Sequence, residues 1–460
     1  MSINTDTAVA VELRAAGITL VHTPTDAEYA AALQGFNRHI AHSPDLVVVP
    51  SSVDDVTETV SLAGRYDLPI RVLGKGHGAL APVTDGIVLA TDLLAFVEID
   101  ADARTARIGA GATWTDVLAA AAPMGLAPLC GSAPHVGVVG YLLGGGIGPV
   151  ARTFGFAADH VRSLSVVTAE HGLVRADPHF NQDLFWALRG GKGGFGVVVE
   201  VEIDLFPLKN LYGGGLYFSA EDTPAVLRTF GEWSLRLPDE MTTSVAMLRL
   251  PPLPGIPEPL RGKFVTHLRI AHVGDAAEGE MLLAPMRAVA VPLIDAVGDL
   301  PYAEIGRIHA DPVDAMPFTD AGMLLDEFGP NAADALLRIA GPGADVPLAA
   351  VEIRRLGGAL ARTPQHPNAV NGRRAAFGIH IIGAPVPELL DTVIPSVIDG
   401  VLSSLHSWAS GETQINFVGR ANGADALTQA WPADVASRLD DIRREHDPSG
   451  RFPFGTRASR

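Results

Sequence analysis

The run Gly137-Val138-Val139-Gly140-Tyr141-Leu142-Leu143-Gly144-Gly145-Gly146-Ile147-Gly148 constrains the fold more than any other stretch of this chain, because four of its last five residues are glycine. A segment this poor in side chains cannot build a core of its own. It must lie against rigid neighbours with its backbone exposed at close range. Its amides can then neutralise an anionic or phosphate-bearing ligand without any side chain. A second run, Gly74-Lys75-Gly76-His77-Gly78, follows the strand-like stretch 69–73 and sets glycines on both sides of a histidine. Taken singly, each loop also fits a plain tight turn. The dinucleotide fingerprint G-x-G-x-x-G is not completed, since Ala79 stands where the third glycine should fall.

The 460 residues suit two packed domains, or one large domain with an excursion. Lys plus Arg is 34 and Asp plus Glu is 52, so the formal charge is 34 − 52 = −18. Such an acidic chain argues against nucleic acid and anionic membrane as partners. Cys130 is the single cysteine, so no intrachain disulfide forms, no cysteine-rich zinc cage exists, and no metal site is expected. The opening residues lack a basic n-region followed by an apolar h-region, and the apolar runs are short and broken. The expectation is a cytoplasmic chain.

Residues 45–210 alternate strand and helix patterns. Strands are expected at 46–49, 69–73 and 105–108, with helices from about Val56 and at 114–122, capped by Ser51, Ser52 or Asp54 and by Thr113. The clearest strand is 194–207, where Val197, Val199, Val201, Ile203 and Leu205 alternate with acidic residues and so share one face. From about Leu211 the character changes. Strands at 243–250, 263–272, 350–355 and 375–382 are separated by longer helical or Pro-rich stretches, and the Pro-rich run 251–259 reads as a connection between two of them. The fold class is therefore α+β: a first domain over 1–210 with its core at about 41–210, an antiparallel-sheet domain with helices on one face over 211–410, and a C-terminal segment, 411–460, that returns to the first domain.

The order of the motifs is more specific than any one of them. GKGHG (74–78), GAGATW (109–114), SAPHVGVVGYLLGGGIG (132–148), FGFAADHV (154–161), DLFWALRGGKGGFGVV (183–198) and HDPSGRF (446–452) together resemble the FAD-linked oxidases of the vanillyl-alcohol oxidase type, with a PCMH-type FAD-binding domain. The nearest branch is the berberine-bridge-enzyme-like group, including 6-hydroxynicotine-oxidase-like proteins. The resemblance implies a two-domain PCMH-type fold whose antiparallel-sheet substrate domain covers the isoalloxazine ring. It also implies FAD as cofactor, joined covalently through His77. The bicovalent members carry a cysteine before the proline of the second motif. Here that position is Ala133, before Pro134, and Cys130 lies three residues earlier, so a single link is expected. Gly74, Lys75, Gly76 and Gly78 around the histidine match the cofactor loop, with Lys75 in place of a frequent glycine. Gly137, Gly140, Tyr141, Gly144 and Gly145 match the second loop. Val136 matches a position associated with oxygen access, which implies an oxidase that passes electrons to O₂. Asp159 and Val161 match the segment along the ring edge, Gly194 and Val198 the loop near the adenosine half, and Asn416 the ring end of the pocket.

Oxidising a C–H beside an O–H or N–H needs hydride loss to the flavin and a base for the heteroatom proton. The tyrosine that often helps in the plant branch is Gln414 here, and a second is Phe417. Glu352 is the leading base candidate, since relatives present a glutamate on the corresponding strand. Glu352 and Arg354 share a strand face, so a simple Glu–Arg pair is the other reading. His380 and Tyr141 are further candidates. The expected function is an FAD-dependent oxidase of a small or medium alcohol, amine or ring system, such as a secondary-metabolite tailoring enzyme. The alternatives are a net non-redox cyclisation or isomerisation on the same scaffold, and a nicotinamide-dependent flavin reductase. Strand edges in the second domain could support a homodimer.

Overall fold

The structure is a computed structural model and describes residues 5–421, 427 and 429–454. Its first layer is a four-stranded sheet, ordered Val21–His22, Leu46–Val48, Ile87–Ala90, Ile70–Leu73, in which the last three strands run parallel. Leu46, Val47, Val48 and all of Ile87–Ala90 are buried, as expected of a parallel sheet covered on both faces. Helix Val53–Arg65 covers one face with Val56, Val60 and Ala63. It starts at a reciprocal cap: Ser52 Oγ accepts from the Asp55 amide at 3.1 Å, and the Ser52 amide donates to Asp55 Oδ2 at 3.2 Å.

A five-stranded antiparallel sheet follows, ordered Val97–Asp100, Thr105–Gly109, Val197–Asp204, Val161–Thr168, Gly172–Ala176. Its central strand departs from the simple alternation read from sequence. The register shifts between Val198 and Glu200, so Val197 and Val199 pack with the four-stranded sheet, while Val198, Val201, Ile203 and Leu205 pack with Trp114 and Leu118. One bulge thus lets a single strand serve two cores. Helix Ala433–His446 returns to this region: Arg443 donates to the carbonyls of Gly191 (2.9 Å) and Gly193 (3.1 Å), and the Ile70 amide donates to the Arg451 carbonyl at 2.7 Å.

The third sheet is antiparallel and eight-stranded. Its main path is Ile294–Asp295, Asn210–Ser219, Phe264–His272, Met241–Arg249, Leu348–Arg355, Phe377–Gly383, Asp320–Leu325, with Gly298–Pro301 also on Asn210–Ser219. Four of these strands are not expected from the sequence: the short Ile294–Asp295 and Gly298–Pro301, and two longer ones. Asn210–Ser219 carries three successive glycines and reads as a loop, and Asp320–Leu325 has no alternation of polarity. Period-two patterning divides the sheet. Leu216, Val245, Leu268, Ile353 and Ile379 point to one face, where helices such as Thr223–Ser234 and Pro330–Ala340 bury them. The opposite face carries two rows that cross the strands. One runs Tyr217, His267, Ala246, Glu352, His380, Gly322, and the next Gly215, Arg269, Ser244, Arg354, Gly378, Leu324. Residues from all parts of the second domain thereby meet in a polar strip facing the glycine loops.

Candidate active site

Gly74–Gly78 forms the turn after strand Ile70–Leu73. Gly76 sits at φ +72°, and a Cβ there would lie 2.5 Å from the Cα of Gly35, so only glycine fits. The Phe36 amide donates to the Lys75 carbonyl at 2.8 Å, and the Phe36 ring stacks on His77 at 3.9 Å and 15°. His135, from the second loop, stands 4.9 Å from the His77 ring. Burial, reinforced by His135 and opposed by Asp311, lowers the His77 pKa to about 3, so its imidazole is neutral near pH 7. Its Nε2 is buried with no hydrogen-bond partner among the described residues, as is that of His135. A neutral, oriented imidazole with an uncommitted nitrogen on a glycine turn suits a nitrogen that bonds to a cofactor.

The second loop enters helix Val138–Leu142 and then uncoils through Gly144–Gly148. Ala133, Pro134, Val136 and Gly137 form the turn before it, where the Trp114 amide donates to the Val136 carbonyl at 3.1 Å. Asn416 reaches over the loop, donating from Nδ2 to the Tyr141 carbonyl at 2.9 Å. A side chain at Gly144 would collide with Asn416 Oδ1, which lies 2.0 Å from the Cβ position. Lys192 was not singled out from sequence, although it interrupts the RGGKGG run. Its Nζ donates to Asn416 Oδ1 at 2.5 Å and to the Gly140 carbonyl at 3.0 Å, with no carboxylate partner among the described residues. Burial lowers its pKa to about 8. A desolvated ammonium beside glycine amides fits a site that takes an anionic cofactor.

Several expected roles change. Lys75 does not offer its charge to the loop, because its Nζ pairs with Asp92 Oδ1 at 2.5 Å. The Asp159 carboxylate is bound by Arg373 (2.6 and 3.1 Å) and Asn368 Nδ2 (2.7 Å), so this side chain anchors the substrate domain. Val161 and Val198 put their side chains into the flavin-domain core. Gly194, at φ +94°, packs under Arg443 and Phe454 of the C-terminal segment. Cys130 is buried 4.0 Å from the Tyr302 hydroxyl, and burial pushes its thiol up to about 12, which leaves it inert. Tyr141 packs edge-on to Trp114 at 5.4 Å, and its hydroxyl is buried and unpartnered. Burial also raises the Tyr141 pKa well above 10, so its hydroxyl stays protonated and does not serve as a base.

Glu352 requires the largest correction. It is 5% exposed, and its Oε1 accepts from Ser244 Oγ (2.7 Å) and Arg269 NH1 (2.7 Å), with His309 Nε2 at 3.4 Å; its Oε2 accepts from Arg354 Nε at 2.8 Å. Burial alone would raise its pKa, but Arg354 and Arg269 hold it well below the usual carboxylate range. A carboxylate this well bound is a poor proton acceptor. It sets the positions of two arginines and a histidine instead. His380 lies elsewhere on the strip, in the wall of a ≈ 190 Å³ cavity between the sheet and residues 412–418. Met323, Leu324, Leu356, Ile379 and Phe417 make the cavity largely apolar, with Arg354, His380 and Gln414 as polar wall groups. Its Nε2 is 2.9 Å from Asp320 Oδ2, and Phe417 stands edge-on to its ring at 5.2 Å.

Two glycine turns facing a polar strip on a large antiparallel sheet suit a flavoprotein, and comparison with known proteins agrees. A family described as FAD binding domain matches residues 44–177. The chain is 26% identical over 453 residues to (R)-6-hydroxynicotine oxidase of Paenarthrobacter nicotinovorans, covering 93% of this chain and 94% of that one. Its fold superposes on BBE-like 1 of Physcomitrella patens with a TM-score of 0.83 at 20% identity, covering 97% and 98% of the two chains. Glucooligosaccharide oxidase of Acremonium strictum, which carries a 6-S-cysteinyl, 8α-N1-histidyl FAD, gives a TM-score of 0.82 at 20% identity over 98% of each chain. The chain carries an FAD-binding domain, is similar over nearly its whole length to FAD-linked oxidases of the berberine-bridge-enzyme-like kind, and is an FAD-dependent oxidoreductase.

Proposed function

We propose that this chain is an oxidase that removes a hydride from a carbon bearing O–H or N–H in a compact organic substrate, with FAD linked once, through His77, and O₂ as final acceptor. The observation that carries the reading is His77: neutral, stacked on Phe36, with a buried nitrogen that has no hydrogen-bond partner among the described residues. Bound FAD supplies the hydride acceptor. The chain's residues do the rest. The glycine turns 74–78 and 137–140 would hold the cofactor, Lys192 would offset its negative charge, and Asn416 fixes the second loop through the Tyr141 carbonyl. The second domain contributes a small, mostly apolar cavity with Arg354 and His380 at its wall. At ≈ 190 Å³ the cavity is below the ~300–1,000 Å³ of most ligand sites, which favours a compact substrate over an oligosaccharide.

Acid precipitation of the purified protein tests the linkage. A yellow pellet with one FAD-mass adduct on the His77 peptide, and none on the Cys130 peptide, supports it. A colourless pellet with free FAD in the supernatant removes the covalent link and moves weight to a reductase. Stoichiometric peroxide release on turnover separates an oxidase from a non-redox cyclase or isomerase.

A further inference from the structure

The polar strip on the large sheet contains two carboxylates, and they are used in opposite ways. Glu352 is bound by two arginines and a serine and has no capacity left for a proton. Asp320 sits at the end of the sheet on strand Asp320–Leu325, diagonal to His380 on the neighbouring strand. Its Oδ2 faces His380 Nε2 at 2.9 Å, while its Oδ1 accepts from the Arg420 amide at 3.3 Å. The Arg420 guanidinium goes to Asp391 instead, at 2.9 Å, so it does not neutralise Asp320. An ionised carboxylate is an acceptor only. Asp320 therefore fixes the imidazole proton on Nε2 and leaves a lone pair on Nδ1, which accepts no hydrogen bond from the described residues. The other charged groups around the ring are Glu352 and Arg354 on the adjacent strand, already paired, and Glu412 from the C-terminal segment, which pairs with Arg374 at 3.0 Å.

We infer that His380, oriented by Asp320, is the base that takes the heteroatom proton in this cavity, and that the substrate is a small, mostly apolar alcohol or amine whose ionisable group lies between His380 and Arg354. The arrangement is a base held by a third group, as in other proton-transfer sites. Resting on the oxidase reading, the step balances as follows. The substrate O–H or N–H bond breaks and its proton goes to Nδ1. The C–H bond breaks with its electron pair passing to FAD as hydride, and the carbon–heteroatom bond becomes a double bond. The proton leaves His380 to water, and O₂ takes the two electrons from FAD as peroxide.

A probe that ionises visibly tests the base without knowledge of the substrate. The holoenzyme is titrated with 4-nitrophenol across pH, following the phenolate band and, separately, the flavin band. The wild type should bind the phenol with its acid dissociation constant raised about tenfold or more. H380N and H380Q should abolish that gain, D320N should reduce it, and binding of the neutral phenol should change less than about twofold. Phenol ionisation in H380N equal to the wild type would place the charge on Arg354 and overturn the inference. So would a folded wild type, checked by circular dichroism, that binds no phenol. A wild type without the flavin band refutes the oxidase reading alone, because the phenolate band still reports on His380.

Discussion

The two halves of the site are built by opposite means. The cradle of the first domain is set by its glycines: Gly76 brings main chain against Gly35, Gly144–Gly146 admit the side chains of Asn416, Gln414 and Tyr141 against the loop, and Gly74, Gly78 and Gly140 stand open. The strip on the second domain is mostly side chain, and its members come from six strands whose residue numbers run from 215 to 380 in no sequential order. A backbone site is written locally, because a tight turn and a close approach each need glycine at a particular position. A side-chain site on a sheet is written in the register. It becomes visible only when residue 352 is known to stand opposite 380, and 244 opposite 269. Changes at the two halves should therefore fail differently.

The largest effect belongs to His77→Ala. All acid-stable flavin should be lost, while the fold and the neighbouring Phe36–His135 contacts persist, and FAD should then exchange with solvent. In-gel flavin fluorescence after denaturation reads this directly. Retained covalent flavin would move the attachment point elsewhere in the cradle. Glu352→Gln is the corresponding break on the strip. It leaves Arg269 and Arg354 buried without a counter-charge, which should cost about 3–5 kcal/mol in urea unfolding. The covalent flavin should survive wherever the protein still folds. A loss under about 1 kcal/mol would mean that solvent reaches the pair and that Glu352 is freer than the geometry indicates.

That contrast also explains what was legible in the sequence. The cradle residues could be named because GKGHG and the 137–148 run are contiguous, and Ser52 and Thr113 could be placed as caps from local signals alone. On the strip, Glu352 was noticed, and of its two readings, base or Glu–Arg pair, the structure shows the pair. The two groups that immobilise it from outside its own strand, Arg269 and Ser244, lie 83 and 108 residues away in sequence. Asp320 was missed because its strand, Asp-Ala-Gly-Met-Leu-Leu, shows neither alternation nor β-branched residues. Lys75 was misassigned for a related reason: its partner Asp92 sits beyond the next strand, Ile87–Ala90. Lys192 had a local signal, a cation inside a glycine run, that could have been used.

Lys192→Met sharpens the comparison, since it removes the one buried ammonium of a cradle otherwise made of amides. In a His77→Ala background, where FAD is removable, it should weaken FAD binding by about 1.5–3 kcal/mol, the range of a charge-assisted hydrogen bond. The sign of the pH dependence follows from burial, which holds this ammonium at about 8 against 10.5 in the unfolded chain. Between those values the unfolded chain binds more protons than the folded one, so stability without FAD should rise with pH across the window. FAD binding there should take up a proton, because its negative charge restores the ammonium. Calorimetry in two buffers of different ionisation enthalpy measures the uptake, which should vanish with Lys192→Met. Uptake that persists would assign it to another group.

The smallest effect expected is at Ser52, and it asks how far the cradle depends on the layer beneath it. Ser52→Ala removes one half of the reciprocal cap on helix Val53–Arg65, which covers the parallel sheet from which the His77 turn departs. The cost should be about 1 kcal/mol in thermal or urea unfolding. Flavin attachment should not change, because the turn is fixed by the Gly76–Gly35 approach and the Phe36–Lys75 hydrogen bond, which the cap does not touch. If attachment fell in step with stability, the cradle would depend on the whole layer packing around it. Its geometry would then be as distributed as that of the strip, and the local legibility of its glycines would reflect where the loop is and not what holds it in place.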